Sequence, residues 1–210
     1  MNALIAGASG FVGGELLALL LRDGRFKSVT SVGRRTLDVR APKLEQLQAD
    51  LGAIGDLPAA DIAFCALGTT IKKAGSQDAF YQVDHDYVLN FAAAAELAGV
   101  ARFLLVSALG ADVRSRIFYS RVKGETERDV AAVGFESLHV FRPSLLLGKR
   151  KEARFAEKLF VGLEPWYRPL LIGPLQKSRP IQARQVAKAM LEKAFAPVVR
   201  TEVVLNHQMF

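Results

Sequence analysis

Short apolar runs alternate along the chain with longer segments in which apolar residues recur at helical spacing. The runs predict strands at residues 2–6, 28–32, 44–48, 61–67, 102–107, 137–141 and 203–206, and the periodic segments predict helices at residues 11–22, 76–98, 119–133 and 182–195. The run at 61–67 is almost wholly apolar, as expected for a strand buried on both faces. This alternation is typical of a parallel sheet covered by helices on both sides.

A glycine-rich loop joins the first predicted strand to the first predicted helix. It reads Gly7-Ala8-Ser9-Gly10-Phe11-Val12-Gly13, with the glycine spacing G-x-x-G-x-x-G. Glycines here permit a tight turn and let the backbone approach phosphates, and the helix N-terminus offers free N–H groups at the positive end of its dipole. Glycines also cap and turn chains without binding anything, but this position between strand and helix favours a dinucleotide pyrophosphate site.

The length and composition fit one α/β fold. The chain has 210 residues, 50% of them hydrophobic, and it contains no repeat, charged tail or low-complexity linker. We therefore predict a Rossmann-like, doubly wound, mostly parallel sheet in a single domain over residues 1–210. Its cofactor half covers about residues 1–143, and a small C-terminal segment on the substrate side covers about residues 144–210.

The chain is basic, and its formal net charge of +7 favours anionic partners. No nucleic-acid motif with interleaved aromatic residues accompanies this charge, so a phosphorylated cofactor is the better candidate. Arg34 and Arg35 follow the second predicted strand closely, where an NAD site usually has an acidic residue for the ribose hydroxyl. Arginines there suit a 2′-phosphate and predict NADP(H), with an exposed basic turn as the alternative. No ligand spacing predicts a metal site.

Two further segments are predicted to border the cofactor, because ligands of doubly wound sheets lie beyond the carboxyl ends of the strands. Asp50 and Leu51 follow the third predicted strand and are placed to border the adenine, although Asp50 is equally well explained as an ordinary loop aspartate. Small or apolar residues end the fourth predicted strand and are expected near the ribose and phosphates: Ala66, Leu67, Gly68 and Thr69.

Tyr119 and Lys123 form a Y-x-x-x-K pair on a predicted helix, so both side chains project from one face. An ammonium beside a phenol stabilises the phenolate, and we therefore expect Lys123 to lower the pKa of Tyr119. A phenol tuned in this way exchanges a proton while a hydride moves. Such pairs often occur by chance on helix surfaces, but here Ser107 precedes the pair at a strand end and is placed to orient a substrate oxygen.

The chain resembles the short-chain dehydrogenases/reductases of the atypical, extended-like type, and within them the small oxidoreductases related to the human HIV Tat-interacting protein. The resemblance covers nearly the whole chain. It rests on GASGFVGG from Gly7, VGRR from Val32, CALGTT from Cys65, VDHDYV from Val83, LLVSALGA from Leu104, YSRVKGETE from Tyr119 and FRPSLLLG from Phe141, of which the last three are the most specific.

This resemblance implies an NADP(H) site and a catalytic triad of Ser107, Tyr119 and Lys123. It also implies that Arg142 and Pro143 contact the cofactor, and that the segment after them lies by the nicotinamide and lines the substrate pocket. Apolar residues in that segment suggest an apolar ligand face, although a core or interface role explains them equally well: Leu145, Leu146, Phe155, Phe160, Trp166 and Tyr167.

One position departs from the pattern of the family. Many members carry an asparagine that completes a proton relay, and Asp84 stands at that position here. We expect Asp84 to solvate an exposed helix face, with a role in holding a relay water as the alternative. His85 beside it is also expected to be exposed, and Cys65 is expected to be a small core residue.

These features together predict an NADP(H)-dependent oxidoreductase acting on an unidentified small carbonyl or alcohol. The alternative is an NADP(H)-binding regulatory or sensor protein without turnover, because a fold does not determine a function. A nucleotide-sugar epimerase is a weaker option, since the segment after Pro143 is short for such a substrate. The single cysteine, with no signal peptide or membrane-spanning run, predicts a cytoplasmic protein without a membrane span. We expect a small-molecule substrate and no nucleic-acid partner, and the sequence leaves open whether the chain forms homo-oligomers.

Overall fold

The computed structural model describes residues 1–147 and 179–210. In these residues seven strands form one parallel sheet with the order β3-β2-β1-β4-β5-β6-β9, and two short strands, β7 and β8, pair separately. The Rossmann-like, doubly wound sheet that we predicted is therefore confirmed, with every described pairing parallel. The strands are β1 (Asn2–Ala6), β2 (Ser28–Gly33), β3 (Leu44–Gln48), β4 (Ile62–Cys65), β5 (Arg102–Val106), β6 (Ser137–Arg142), β7 (Leu146–Leu147), β8 (Ile181–Gln182) and β9 (Thr201–Leu205).

Helices cover both faces of the sheet. They are α1 (Phe11–Arg22), α2 (Ile71–Ala74), α3 (Gln77–Tyr81), α4 (Tyr87–Leu97), α5 (Phe118–Val133) and α6 (Ala183–Lys193), with a π-helical turn at Gln82–Asp86 and a 3-10 turn at Asn206–Met209. Helices α1 and α6 pack on one face, where Ile5 and Phe64 are buried, and α4 and α5 pack on the other, where Leu4 and Phe103 are buried. None of the helices in the described ranges has the length and apolar character of a membrane span.

The centre of the sheet provides the crevice in which such folds bind ligands. Strand β1 pairs with β2 on one side and with β4 on the other, so the chain order reverses at β1. The loops that follow β1 and β4 leave the sheet at the same edge, on either side of this reversal. Ligands of open α/β sheets bind at such a point, and it is here that the glycine-rich loop lies.

The helical segment that we expected at residues 76–98 is present, but it is not one regular α-helix, because the π-helical turn Gln82–Asp86 separates α3 from α4. A π turn adds a residue to the helix and rotates everything after it by about 100°, the angle of one α-helical residue. As a result Asp84 and His85 point inward and are only 0% and 7% exposed. Our expectation that both face solvent is therefore wrong.

Candidate active site

The loop after β1 is so tight that two of its glycines leave no room for a side chain. Gly7 has φ +83°, and a Cβ there would lie 2.4 Å from backbone atoms of Ala66 at the end of β4. A Cβ on Gly13 would lie 2.1 Å from the carbonyl oxygen of Gly7. The amide of Gly10 donates to that same carbonyl at 2.9 Å, which closes the turn. Ser9 and Gly10 remain exposed at the N-terminus of α1.

A cleft of about 420 Å³ opens beside this loop. Arg35 lines it, whereas the exposed Arg34 is not among its lining residues, so the structure separates the two arginines that we had grouped together. The wall near Arg35 also carries one acidic residue, Asp38. The lining residues are Ala8, Ser9, Gly10, Gly14, Leu17, Arg35, Thr36, Leu37, Asp38 and Val39.

Two glutamines of β3 hold this wall of the cleft, and sequence reasoning did not find them. The Gln46 amide accepts from Leu37 N at 2.6 Å and donates to the carbonyls of Leu37 and Val39 at 3.2 and 3.1 Å. Gln48 Nε2 donates to the carbonyl of Arg34 at 3.1 Å. The sequence feature that could have identified them is their two-residue spacing, because it places both side chains on the same face of a half-exposed strand.

The loop after β4 brings Gly68 and Thr69 against charged side chains. A Cβ on Gly68 would lie 3.3 Å from Asp84 Oδ1 and 3.8 Å from Lys123 Nζ. The Thr69 amide donates to Asp84 Oδ2 at 2.7 Å. This loop therefore connects the glycine-rich turn, through Ala66, with the predicted catalytic helix α5.

The predicted adenine-side residues Asp50 and Leu51 lie in a turn after β3. Asp50 Oδ1 accepts from the Gly52 amide at 2.9 Å, and Leu51 is buried. Asn90 on α4 donates to the carbonyl of Leu51 at 3.0 Å and so anchors the turn. Neither Asp50 nor Leu51 is among the residues that line the 420 Å³ cleft, and the hydrogen bond to Gly52 already gives Asp50 a role in turn geometry.

A buried ion pair is the centre of the candidate active site. Lys123 Nζ lies 2.7 Å from Asp84 Oδ1, and the two residues are only 6% and 0% exposed. The Thr126 hydroxyl donates to the main-chain carbonyl of Asp84 at 2.9 Å and so fastens the π-helical turn to α5. Asp84, which we expected to solvate a helix face, therefore contacts the predicted catalytic lysine directly.

Tyr119 lies one turn before Lys123 on α5, with its ring centroid 5.6 Å from that of Phe80. Lys123 acts to lower the pKa of Tyr119, as we expected, but our expectation that the pKa is lowered overall is wrong. Burial raises the pKa of the phenol, the Lys123 charge opposes this, and the Asp84 charge adds to it, so the pKa is raised overall. Burial of the phenol is the first cause of this rise, and neither that burial nor the pairing of Lys123 with Asp84 was evident from the sequence pattern.

Ser107 follows β5 and is held by the helix behind it. Its hydroxyl donates to Glu127 Oε1 at 2.5 Å, and Glu127 also pairs with Arg142, whose Nη2 lies 2.5 Å from Oε2. The side-chain hydrogen bond raises the pKa of the Arg142 guanidinium. Pro143 is buried, and its carbonyl accepts from Leu109 N at 2.8 Å. No hydrogen bond between Ser107 and Tyr119 is found within the described residues.

Cys65 and His85, the two other residues of this region that we singled out in the sequence, are both buried. Cys65 is 0% exposed, which confirms it as a core residue, and burial raises the pKa of its thiol to about 12. His85 lies between two carboxylates, with Nδ1 2.8 Å from Asp86 and Nε2 2.9 Å from Asp129. This arrangement anchors the outer side of the π-helical turn to α5.

The predicted substrate-side residues are described only in part. Leu145 is 52% exposed, and Leu146 lies in β7, which pairs with β8 at Ile181. The fully buried Asn206 accepts from Ser144 N at 2.9 Å and donates to Arg179 O at 2.8 Å, so it joins the chain on both sides of residues 148–178. The other four candidates lie outside the described residues: Phe155, Phe160, Trp166 and Tyr167.

A family model described as NAD(P)H-binding matches residues 7–144, and the chain belongs to this family. Protein HTATIP2 of Rattus norvegicus is 41% identical over 165 residues, which cover 75% of this chain and 68% of that protein. The mitochondrial protein FMP52-1 of Scheffersomyces stipitis is 34% identical over 212 residues, covering 95% of this chain and 94% of that protein. The resemblance to the relatives of the human HIV Tat-interacting protein is thereby confirmed.

Solved structures agree on the fold. MoeE5 in complex with UDP-glucose and NAD superposes with a TM-score of 0.74 at 18% identity, covering 100% of this chain and 79% of that one. A short chain dehydrogenase family protein from Francisella tularensis superposes with a TM-score of 0.64 at 14% identity, covering 99% and 98%. The chain thus has an NAD(P)-binding, oxidoreductase-like fold.

The cytoplasmic location that we predicted is wrong. The relatives in Scheffersomyces stipitis, Emericella nidulans and Debaryomyces hansenii are all named as mitochondrial proteins. A single buried cysteine is compatible with any reducing compartment, so it did not carry the information that we drew from it.

Proposed function

We propose that the protein is an NADP(H)-dependent oxidoreductase that acts on a small carbonyl or alcohol. The observation that carries this proposal is a single cleft lined by the glycine-rich loop on one side and by Arg35 on the other. A loop that offers backbone amides at a helix N-terminus suits a pyrophosphate. An arginine across the same cleft suits a further phosphate, which distinguishes NADP from NAD.

The chain fits such a cofactor in its local geometry as well. The left-handed Gly7 and the crowded Gly13 let the backbone turn where a Cβ would collide with main-chain atoms. The exposed Ser9 and Gly10 leave the end of α1 open to a ligand. We propose that Ala8, Phe11 and Val12 complete this contact, and that Ala66, Leu67, Gly68 and Thr69 approach the ribose side.

The chemistry follows from the residues of α5 and β5. When bound, the reduced cofactor supplies the hydride. Tyr119 is the group that donates or accepts the proton, and Lys123 supports the phenol and contacts the cofactor ribose. Ser107 orients the substrate oxygen once its hydroxyl turns from Glu127. Positioned acid–base groups of this kind contribute about 10²- to 10⁴-fold to rates.

Isothermal titration calorimetry of the parent protein with NADPH and with NADH tests the cofactor assignment. The additional charge-assisted bonds predict NADPH binding tighter by about 10- to 100-fold, because each is worth about 1.5–3 kcal/mol. Equal affinities, or tighter NADH binding through Asp38, would overturn the assignment of Arg35 to the 2′-phosphate. Absence of binding by either nucleotide would overturn the proposed function itself.

A further inference from the structure

Asp84 is held in place through both its side chain and its main chain. Its Oδ2 accepts from the Thr69 amide at 2.7 Å, and its main-chain carbonyl accepts from the Thr126 hydroxyl at 2.9 Å. Its side chain is 0% exposed, so no water is at hand to replace a lost partner, and leaving a buried polar group unpaired is costly. The carboxylate therefore has a fixed position between the loop after β4 and helix α5.

The other carboxylate oxygen of Asp84 faces Lys123. Oδ1 lies 2.7 Å from Lys123 Nζ, and within the described residues no other polar group satisfies it. If the lysine turned away, a buried carboxylate would lose the charge that compensates it, which is strongly unfavourable. A lysine has a flexible four-carbon stem that otherwise samples many rotamers. The ion pair therefore keeps the Lys123 ammonium in one place.

We infer that Asp84 is a positioning residue that holds the Lys123 ammonium for the nicotinamide ribose of the cofactor. This inference rests on the proposed function, in which Lys123 contacts the ribose and Gly68 approaches it, and deepens that function by giving Asp84 a role. The ribose is the one beside the nicotinamide, because Tyr119 is proposed to act at the hydride-bearing end. A Cβ on Gly68 would lie 3.3 Å from Asp84 Oδ1 and 3.8 Å from Lys123 Nζ. The ion pair thus lies against the main chain of the loop proposed to border the ribose.

Lys123 keeps its charge and its hydrogen-bond donors in this arrangement. Burial acts to lower the pKa of Lys123, but the charges of Asp84 and Tyr119 act against it, and the pKa is raised overall. An ammonium has three N–H groups. Asp84 Oδ1 can occupy one of them, which leaves the others for ribose hydroxyls. Asp84 thus orients the lysine without using up its capacity to bind.

An ammonium that is fixed before the cofactor arrives lowers the cost of binding. Ordering a rotamer-rich side chain upon binding weakens affinity by about 2- to 10-fold. In this protein the ion pair with Asp84 orders the Lys123 stem during folding instead. Loss of the Asp84 charge should therefore weaken the binding of a ligand that reaches Lys123, and it should not affect a ligand that does not.

Nuclear magnetic resonance of lysine ammonium groups tests the inference in the parent protein. The Lys123 signal, assigned by its loss in Lys123→Arg, should show restricted nanosecond motion before any cofactor is added. NADPH should shift this signal, whereas 2′,5′-ADP, which carries the 2′-phosphate but lacks the nicotinamide ribose, should leave it nearly unchanged. A Lys123 ammonium as mobile as that of the exposed Lys72, or one that responds equally to both nucleotides, would overturn the inference.

Calorimetry on Asp84→Asn, which removes the charge and keeps the size of the side chain, provides the second test. NADPH should bind about 2- to 10-fold more weakly, and 2′,5′-ADP should bind as it does to the parent. The matched Asp86→Asn removes a carboxylate that faces His85 and should leave both affinities unchanged. Equal losses for both ligands, or no loss in folded Asp84→Asn, would overturn the inference.

If Asp84→Asn does not fold, the resonance measurement on the parent decides. A parent that binds neither nucleotide would overturn the proposed function instead.

Discussion

Ser107 donates its hydroxyl hydrogen to Glu127 across 2.5 Å, so the residue proposed to orient a substrate is itself oriented by a helix carboxylate. A hydroxyl has one hydrogen, and while Glu127 holds it Ser107 offers only lone pairs to a second partner. A carbonyl oxygen needs a donor, and Ser107 can serve it only by turning from Glu127. Arg142 pairs with the same Glu127 carboxylate and holds it in place while the Ser107 hydroxyl rotates.

Replacing Glu127 by Gln should destabilise the fold. The change removes the charge that pairs with Arg142 and leaves a partly buried guanidinium without its ionic partner. We expect a loss of about 1–3 kcal/mol in the free energy of unfolding, measured by urea denaturation. The exposed Glu136→Gln serves as the control, with a change within about 0.5 kcal/mol. Equal stability of the two variants would show that the Glu127–Arg142 pair contributes nothing net.

Arg35 and Arg34 should differ in their effect on cofactor binding. Arg35→Ala removes the arginine that lines the cleft and should weaken NADPH binding by about 10- to 100-fold, with little change for NADH. Arg34→Ala removes an equal charge outside the lining and should have a much smaller effect. Calorimetry with both nucleotides on both variants provides the comparison. A larger loss in Arg34→Ala would place the 2′-phosphate elsewhere.

Gly13 and Gly14 are adjacent in α1 but should respond oppositely to alanine. A Cβ at Gly13 would lie 2.1 Å from Gly7 O, whereas the nearest atom to one at Gly14 is Ala8 O at 3.4 Å. Gly14→Ala should be neutral or stabilising by up to about 1 kcal/mol, because alanine favours helix. Gly13→Ala must displace the glycine-rich loop and should lower the midpoint of thermal unfolding clearly. Similar midpoints would mean that the loop is not tightly packed.

His139 should make stability depend on pH. It is 0% exposed, and burial lowers its pKa from 6.5 while the hydrogen bond to Glu202 opposes the shift. Its neutral form is favoured in the folded state, so its contribution is present above pH 6.5 and is lost as the pH falls through the lowered pKa. Urea denaturation above and below that pH measures the free energy of unfolding at each pH. The decrease in this free energy from the higher to the lower pH should be smaller in His139→Gln than in the parent. The exposed His207→Gln should behave like the parent.

Much of the fold was predictable because local patterns determine it. Alternating and helical periodicities give β1, α1 and β3 their observed bounds, and Gly7 marks the tight turn after β1. The π-helical turn has no comparable local signal, so the inward positions of Asp84 and His85 were missed. The partner of Ser107 was missed for a related reason: Glu127 lies 20 residues away, and only the packing of α5 against the sheet brings them together.

The central claim is that the protein is an enzyme that uses Tyr119 as its acid–base group, and steady-state NADPH oxidation with a panel of small aldehydes and ketones tests it most directly. Tyr119→Phe keeps the ring against Phe80, so NADPH affinity should change little while kcat falls by about 10²- to 10⁴-fold. Tyr81→Phe, which removes a hydroxyl from a ring beside His85, should retain the parent rate. A Tyr119→Phe variant as fast as the parent, or a parent that binds NADPH and turns over nothing in the panel, would contradict the claim.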